Sequence, residues 1–173
     1  MNEKINKIYW IDNTVIESFK KIKREDILDK LFHQRLITTE MVNNEIKKSR
    51  NETTLRIPYA YSSNLPRINY PDRNNYSLVQ NESADDSLII HAFFFGGVIL
   101  TNDKKQTNKV KSIKGGRTFS VDVEVHGSIW VLIQAVKEGL LNRGEASALY
   151  AKMREMGEYL PPAKKFDDFL NNN

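Results

Sequence analysis

Residues 83–103, SADDSLIIHAFFFGGVILTND, carry the pattern that decides the fold. Ser83 is a good helix cap, and the apolar residues after it predict a helix that ends at Gly96-Gly97. The run Val98-Ile99-Leu100-Thr101 is apolar and β-branched, and it predicts a buried strand. Asn102-Asp103 then opens a basic helix. The stretch therefore predicts a helix, a strand and a second helix in succession.

The same alternation continues on both sides of this stretch. Ile8-Tyr9-Trp10-Ile11 predicts a strand followed by a capped helix, and Leu36-Ile37 predicts a short apolar piece followed by another helix. Further along, a strand is expected around residues 119–125 and helices over 127–173. Strands that alternate with helices predict a three-layer α/β/α domain with a mostly parallel central sheet. We predict one domain over all 173 residues.

Residues 50–82 interrupt the alternation. Three of the chain's five prolines lie here, and asparagine recurs. Extended pieces are possible at 55–57 and 67–70, but the composition favours a long excursion between core elements. Long loops of this kind tend to carry function.

Composition limits the chemistry of the chain. It has 26 Lys and Arg against 22 Asp and Glu, which gives a net charge of +4. A mildly basic chain is compatible with a polyanionic partner. The absence of cysteine excludes disulfides, thiolate zinc sites and cysteine nucleophiles. No apolar run is long enough for a membrane span or a signal peptide core, so we expect a cytoplasmic protein without a membrane partner.

Acidic residues follow the predicted strands or begin the predicted helices. Asp12 and Asp103 come directly after two strands, Asp85-Asp86 open the helix at 84, and Glu45 lies on a helix. If these segments meet at one sheet edge, three or four carboxylates converge there, and such a group repels itself unless it holds a cation. Oxygen ligands favour Mg²⁺ or Mn²⁺, whose natural chemistry is phosphodiester hydrolysis. Each acid has an alternative role as a helix cap, as a first-turn acid or on a solvated face.

Four segments in this order resemble the motifs of the PIN domain, a family of small metal-dependent ribonucleases. They are IYWIDNTVI at 8–16, ITTEMVNNEI at 37–46, DSLIIHA at 86–92 and VILTNDKK at 98–105. The tail at 125–141 is similar to an uncharacterised prokaryotic branch of PIN-like proteins.

The resemblance implies a set of site residues. As the catalytic and metal-binding quartet for Mg²⁺ or Mn²⁺, it implies Asp12, Glu45, Asp86 and Asp103. Asn13 and Thr101 would be polar supports. The neighbouring pair Asp85-Asp86 leaves the third acid ambiguous by one residue, and we choose Asp86 because it lies six residues before Ala92, as the family pattern requires.

The resemblance also implies an activity and partners. The expected function is endoribonuclease activity on an RNA substrate, with the chain acting as the toxin of a toxin–antitoxin pair. An antitoxin protein and a second copy of the chain, in a homodimer, would be its protein partners. The alternative is a catalytically inactive PIN-fold module that binds RNA or a protein.

Basic residues cluster after Asp103. The candidates for contacts with RNA phosphates are Lys104, Lys105, Lys109 and Arg117, although a solvated basic face is an equal alternative. Tyrosines and arginines interleave in the excursion, where they would stack unpaired bases, cover the core or meet a partner. The three histidines have no metal-ligand spacing, and we expect them to be structural.

Other nucleotide and phosphate chemistries lack their motifs. A haloacid-dehalogenase-type phosphatase needs Asp-x-Asp after its first strand, where this chain has Asp12-Asn13-Thr14. A phosphoacceptor receiver domain needs an acidic pair there. No glycine-rich G-x-x-x-x-G-K loop occurs either.

Overall fold

Five short strands form one parallel sheet. The computed structural model describes residues 7–49, 55–61, 65, 68–72, 75–79, 83–116, 121–158 and 166–171. In chain order, the strands of the parallel sheet and of a second, smaller sheet are β1 (Tyr9–Ile11), β2 (Leu36–Thr39), β3 (Tyr59–Ala60), β4 (Ile68–Asp72), β5 (Asn75–Val79), β6 (Gly97–Leu100) and β7 (Val123–His126). The parallel sheet has the order β3-β2-β1-β6-β7, while β4 and β5 form a separate antiparallel pair.

Helices connect these strands. They are α1 (Asn13–Lys21), α2 (Glu25–Phe32), α3 (Glu40–Lys48), α4 (Ala84–Phe95), α5 (Lys104–Gly116), α6 (Ser128–Lys137), α7 (Arg143–Glu155) and α8 (Phe166–Asn171), and a 3₁₀ turn follows α2 at His33–Arg35. Among the described residues, no helix is long and apolar enough to cross a bilayer.

Successive side chains of β1 show how the layers are arranged. The Tyr9 ring lies against Phe32 of α2 and Trp130 of α6. The next ring, Trp10, points to the opposite face of the sheet, as strand pleating requires, and lies against His91 of α4. Helices therefore cover both faces of the sheet, which confirms the predicted three-layer α/β/α fold with a mostly parallel sheet.

Local capping accounts for where the helices begin. Asp12, Thr39 and Ser83 each accept a hydrogen bond from a backbone N–H in the first turn of the helix that follows. Gly96 ends α4 at a φ of +77°, a conformation that glycine adopts without strain. At Gly97 a Cβ atom would lie 2.4 Å from the Ile8 carbonyl oxygen, so only glycine permits the close contact of β6 with the chain before β1.

The excursion at 50–82 contains more regular structure than the sequence suggested. The strand β3 extends the main sheet by pairing with β2, and the Thr38 N–H donates to the Pro58 carbonyl at 3.0 Å. The pair β4–β5 places Ile68 opposite Val79, and both side chains are buried. The proline and asparagine content concealed these strands because their partners, not their own propensity, stabilise them.

Candidate active site

The sheet order brings two predicted acids side by side. Asp12 directly follows β1, and Asp103 follows β6, the neighbouring strand. The Asp12 N–H donates to the Leu100 carbonyl at 2.9 Å, which continues the pairing of the two strands to the acid itself. Both acids therefore lie at the carboxyl edge of the sheet, where ligand sites of such folds form.

Asp12 is buried and held by two threonine hydroxyls. Its side chain is 3% exposed, and its Oδ2 accepts hydrogen bonds from the Thr14 hydroxyl at 2.5 Å and the Thr101 hydroxyl at 3.1 Å. Burial raises the pKa of Asp12 above its usual value, while these hydrogen bonds act to lower it. A carboxylate that is buried and fixed in this way is poised to gain from a cation.

Thr101 joins Asp12 to Asp103. Its hydroxyl donates to Asp12 and accepts from the Asp103 N–H at 3.0 Å. The Asp103 carboxylate accepts from the backbone N–H groups of Lys105 and Gln106, at 2.6 and 3.2 Å, as a cap of α5. Thr101 therefore lies where a polar support of the two carboxylates would have to be.

Asp85 and Asp86, the adjacent acids in the first turn of α4, have different surroundings. Burial raises the pKa of Asp85 to about 6, with further contributions from the charges of Asp12, Asp103, Glu45 and Asp86. By contrast, Asp86 accepts a hydrogen bond from the Lys109 ammonium at 2.6 Å in an ion pair. Asp86 therefore has a cationic partner, and its selection over Asp85 as the third acid stays a prediction.

Glu45 lies at the rim of this group. It is exposed on α3, and its pKa is raised by burial of part of the carboxyl and by the charge of Asp12, while Lys48 acts in the opposite direction. Three predicted acids, Asp12, Glu45 and Asp103, therefore act on the pKa of Asp85 together. We call these four residues the acidic cluster.

The acidic cluster is accompanied by two buried amide oxygens. In the described part of the chain, the buried side-chain oxygens without a hydrogen-bond partner are Asn13 Oδ1 and Gln106 Oε1. Asn13 adjoins Asp12, and Gln106 bridges the cluster by donating from Nε2 to the Asp85 carbonyl at 3.1 Å. Buried oxygens of this kind are rare and call for a partner. Sequence reasoning missed Gln106, which is 2% exposed.

The donor set fits a hard divalent cation by its chemistry. Every candidate atom is an oxygen, and the carboxylate charges repel one another. Among the described residues, no three His, Cys, Asp or Glu side chains lie close enough together to ligate one ion. Mg²⁺ commonly keeps several waters and takes one or two carboxylates, so it does not require three direct protein ligands.

A comparison with protein families identifies the fold type. A family model described as a PIN domain matches residues 8–166. This chain belongs to the PIN-domain family. No curated protein and no solved structure gives a significant match to it. PIN domains are generally nucleases, so the chain has a nuclease-type fold.

Asn102 connects the carboxyl edge of this PIN domain to its C-terminal half. Its Nδ2 donates to the hydroxyls of Ser18 and Ser128, both at 2.9 Å, and its Oδ1 accepts from the Ser128 N–H at 2.9 Å. Its backbone N–H donates to the Thr14 hydroxyl at 3.1 Å, the same hydroxyl that donates to Asp12. Sequence reasoning treated Asn102 only as a helix opener, because its partners lie far away in the chain.

The basic residues of the PIN domain divide into two groups. Lys104 and Lys105 are exposed in the first turn of α5, directly after Asp103. Lys109 is engaged with Asp86. Arg117 lies outside the described residues.

Proposed function

We propose that this PIN domain is a Mg²⁺- or Mn²⁺-dependent endoribonuclease that hydrolyses RNA phosphodiester bonds. The observation that supports this proposal best is the position of Asp12 and Asp103 at the ends of neighbouring strands, joined through the Thr101 hydroxyl. Burial and the charges of four other carboxylates also raise the pKa of Asp85 to about 6. Carboxylates that repel one another in this way would gain from a bound cation.

We assign the metal site to Asp12, Asp85 and Asp103, of which one or two would ligate the cation directly and the rest would act through its bound waters, with Glu45 as a fourth acid. This replaces Asp86 by Asp85, because the Lys109 ammonium already compensates the charge of Asp86. A bound Mg²⁺ or Mn²⁺ would activate a water and offset charge on the scissile phosphate.

The protein groups have separate tasks in this proposal. Thr101 keeps Asp12 and Asp103 at a fixed spacing through its two hydrogen bonds. Glu45 is exposed at the rim and has a raised pKa, so it is suited to accept a proton from an attacking water. Asn13 and Gln106 offer their buried amide oxygens to waters or to the cation.

The substrate proposal depends on charge at the entrance to the site. Lys104 and Lys105 follow Asp103 directly and are exposed, which suits contacts with RNA phosphates on either side of the cleaved bond. Such contacts are independent of base sequence, so the target RNA would have to be selected elsewhere on the protein.

The partner proposals come from the family resemblance. They are a homodimer, an antitoxin protein and action in the cytoplasm as a toxin. The exposed rings of Phe94 and Phe95, at the end of α4, support an apolar contact with a protein.

The deciding experiment measures Mn²⁺-dependent cleavage of a structured RNA pool. We expect cleavage by the wild-type protein and none by Asp12→Asn or Asp103→Asn. Asp29→Asn, which changes an exposed acid on α2, is the matched control and should cleave normally. Calorimetric titration with Mn²⁺ completes the test. Metal binding without cleavage would show that the substrate or a partner is missing from the assay, whereas neither binding nor cleavage would favour an inactive binding module.

A further inference from the structure

A cavity lies away from the acidic cluster, at the start of the strands. It has a volume of about 520 Å³, within the range of small-molecule sites. Tyr9, the first residue of β1, and Arg35, directly before β2, both line it, whereas Asp12 follows the other end of β1. Because β1 is about 10 Å long, the cavity and the acidic cluster occupy opposite edges of the sheet.

Aromatic rings form one wall of this cavity. Trp130 and Phe32 line it together with Tyr9. The Trp130 and Phe32 rings are parallel within 2°, and His126 stacks on Trp130 with ring centroids 4.3 Å apart. Trp130 and Tyr9 are only partly buried, so their rings combine a fixed orientation with access from the cavity. A preformed set of flat rings suits a flat aromatic ligand.

Three cations also line the cavity, Lys7, Lys30 and Arg35, together with one acid, Glu138. Lys7 is already paired with Glu124, which leaves Lys30 and Arg35 as the candidates for an anionic ligand. Arg35 is fixed over the Tyr9 ring, with its guanidinium carbon 5.3 Å from the ring centroid. Lys30 pairs with Asp26 in an exposed ion pair, a weak interaction that an incoming anion can displace. Lys30 and Arg35 together suit a ligand that carries a phosphate.

Backbone strain marks the lip of the cavity. His33 lies in the lining with a φ of +43°, a region that L side chains rarely adopt. Strained residues concentrate at binding and active sites, where the surrounding structure holds them in place. This observation is independent of the rings and the charges.

We propose that this cavity binds a nucleotide. The base would lie against Trp130, because Arg35 and Phe32 already cover the Tyr9 ring, and the phosphate would contact Lys30 and Arg35. The nucleotide is either free or part of an RNA strand, which offers the same base and phosphate. The inference does not require the acidic cluster to be catalytic.

Trp130 provides a direct readout. The chain has two tryptophans, and Trp10 is 2% exposed with its indole N–H bound to the Gly96 carbonyl. Indole N–H signals in NMR spectra, recorded in EDTA to prevent cleavage, therefore separate the cavity from the core. The ligands are AMP, GMP, CMP, UMP, an eight-nucleotide single-stranded RNA and inorganic phosphate.

We expect a nucleotide to shift the Trp130 signal while the Trp10 signal stays unchanged. Lys30→Gln should weaken binding about fivefold, as the loss of one partly screened phosphate contact predicts. Arg154→Gln, which removes an exposed cation from α7, is the matched control and should leave the affinity unchanged. Trp130→Leu should abolish binding, which calorimetric titration measures because this variant lacks the Trp130 indole signal, and circular dichroism checks that it folds.

Comparing the ligands distinguishes a free nucleotide from a nucleotide within an RNA strand. Binding of mononucleotides supports a free nucleotide, and binding of the RNA alone supports a strand that crosses the cavity. If inorganic phosphate shifts Trp130 as strongly as the nucleotides do, or if no ligand shifts it, the proposal is wrong. An unchanged affinity in Lys30→Gln together with retained binding in Trp130→Leu would overturn it as well.

Discussion

Replacing Asp85 by Asn should stabilise the metal-free protein. The pKa of Asp85 rises from 3.8 to about 6 in the folded chain, mainly through burial and then through the charges of Asp12, Asp103 and Glu45. That rise corresponds to about 3 kcal/mol against the charged form. Asp85 is only half-buried, and solvent screening reduces this to roughly 1 kcal/mol of stability.

The sign of the effect follows from proton binding. The folded protein keeps the Asp85 proton to a higher pH than the unfolded chain does. As the pH rises from about 4 to about 6, ionisation of Asp85 therefore lowers the free energy of unfolding. Above that range the whole of this destabilisation is present. Asp85→Asn removes this cost at pH 7.5 and has little effect at pH 4.

The assay is thermal and denaturant unfolding in EDTA. At pH 7.5 we expect Asp85→Asn to raise the free energy of unfolding by about 1 kcal/mol and the Tm by about 2–4 °C. The control is Asp86→Asn, which loses the hydrogen-bonded ion pair to Lys109 and should not gain stability. The reasoning is refuted if Asp85→Asn destabilises the protein at pH 7.5, or if the gain is as large at pH 4.

Three further outcomes follow from the site. Thr101→Val should lower the free energy of unfolding by about 1–2 kcal/mol and reduce Mn²⁺-dependent cleavage, because Asp12 and the Asp103 N–H both lose a hydrogen-bond partner. Unfolding and cleavage assays of the folded variant measure these two effects. Gly127→Ala should destabilise the protein by about 1–3 kcal/mol, since the new Cβ would lie 2.9 Å from Asn102 Oδ1, and a normal Tm would contradict that packing. Chelation of divalent ions should abolish RNA cleavage and added Mg²⁺ should restore it, whereas full activity in EDTA would exclude a metal-dependent mechanism.

A sequence pattern reveals one of the two proposed sites, and only the folded structure reveals the other. The acidic cluster is built from residues that follow strands or begin helices, and a sequence pattern can register such positions. The nucleotide cavity combines Tyr9, Arg35 and Trp130, which come from three separate elements and share no motif. Proximity at the start of the strands is what gives these three residues a common role.

Local interactions let the sequence alone determine much of this protein. Caps such as Thr39 and Ser83 act within one helical turn, so the helix starts could be read directly. The apolar runs of β1 and β6 could also be recognised because parallel strands are buried on both faces. Asp12 and Asp103 followed from these strands and from the sheet-edge rule.

Only the tertiary structure decided what depends on distant partners. Consecutive helical residues point about 100° apart, so packing of α4 against the sheet and α5 decides that Asp86 pairs with Lys109 while burial raises the pKa of its neighbour Asp85. The strand β3 exists through its pairing with β2. Asn102 acquires its role from contacts with Ser18 and Ser128, which lie 84 and 26 residues away in the chain. Such contacts form only when the chain is folded, and no local pattern encodes them.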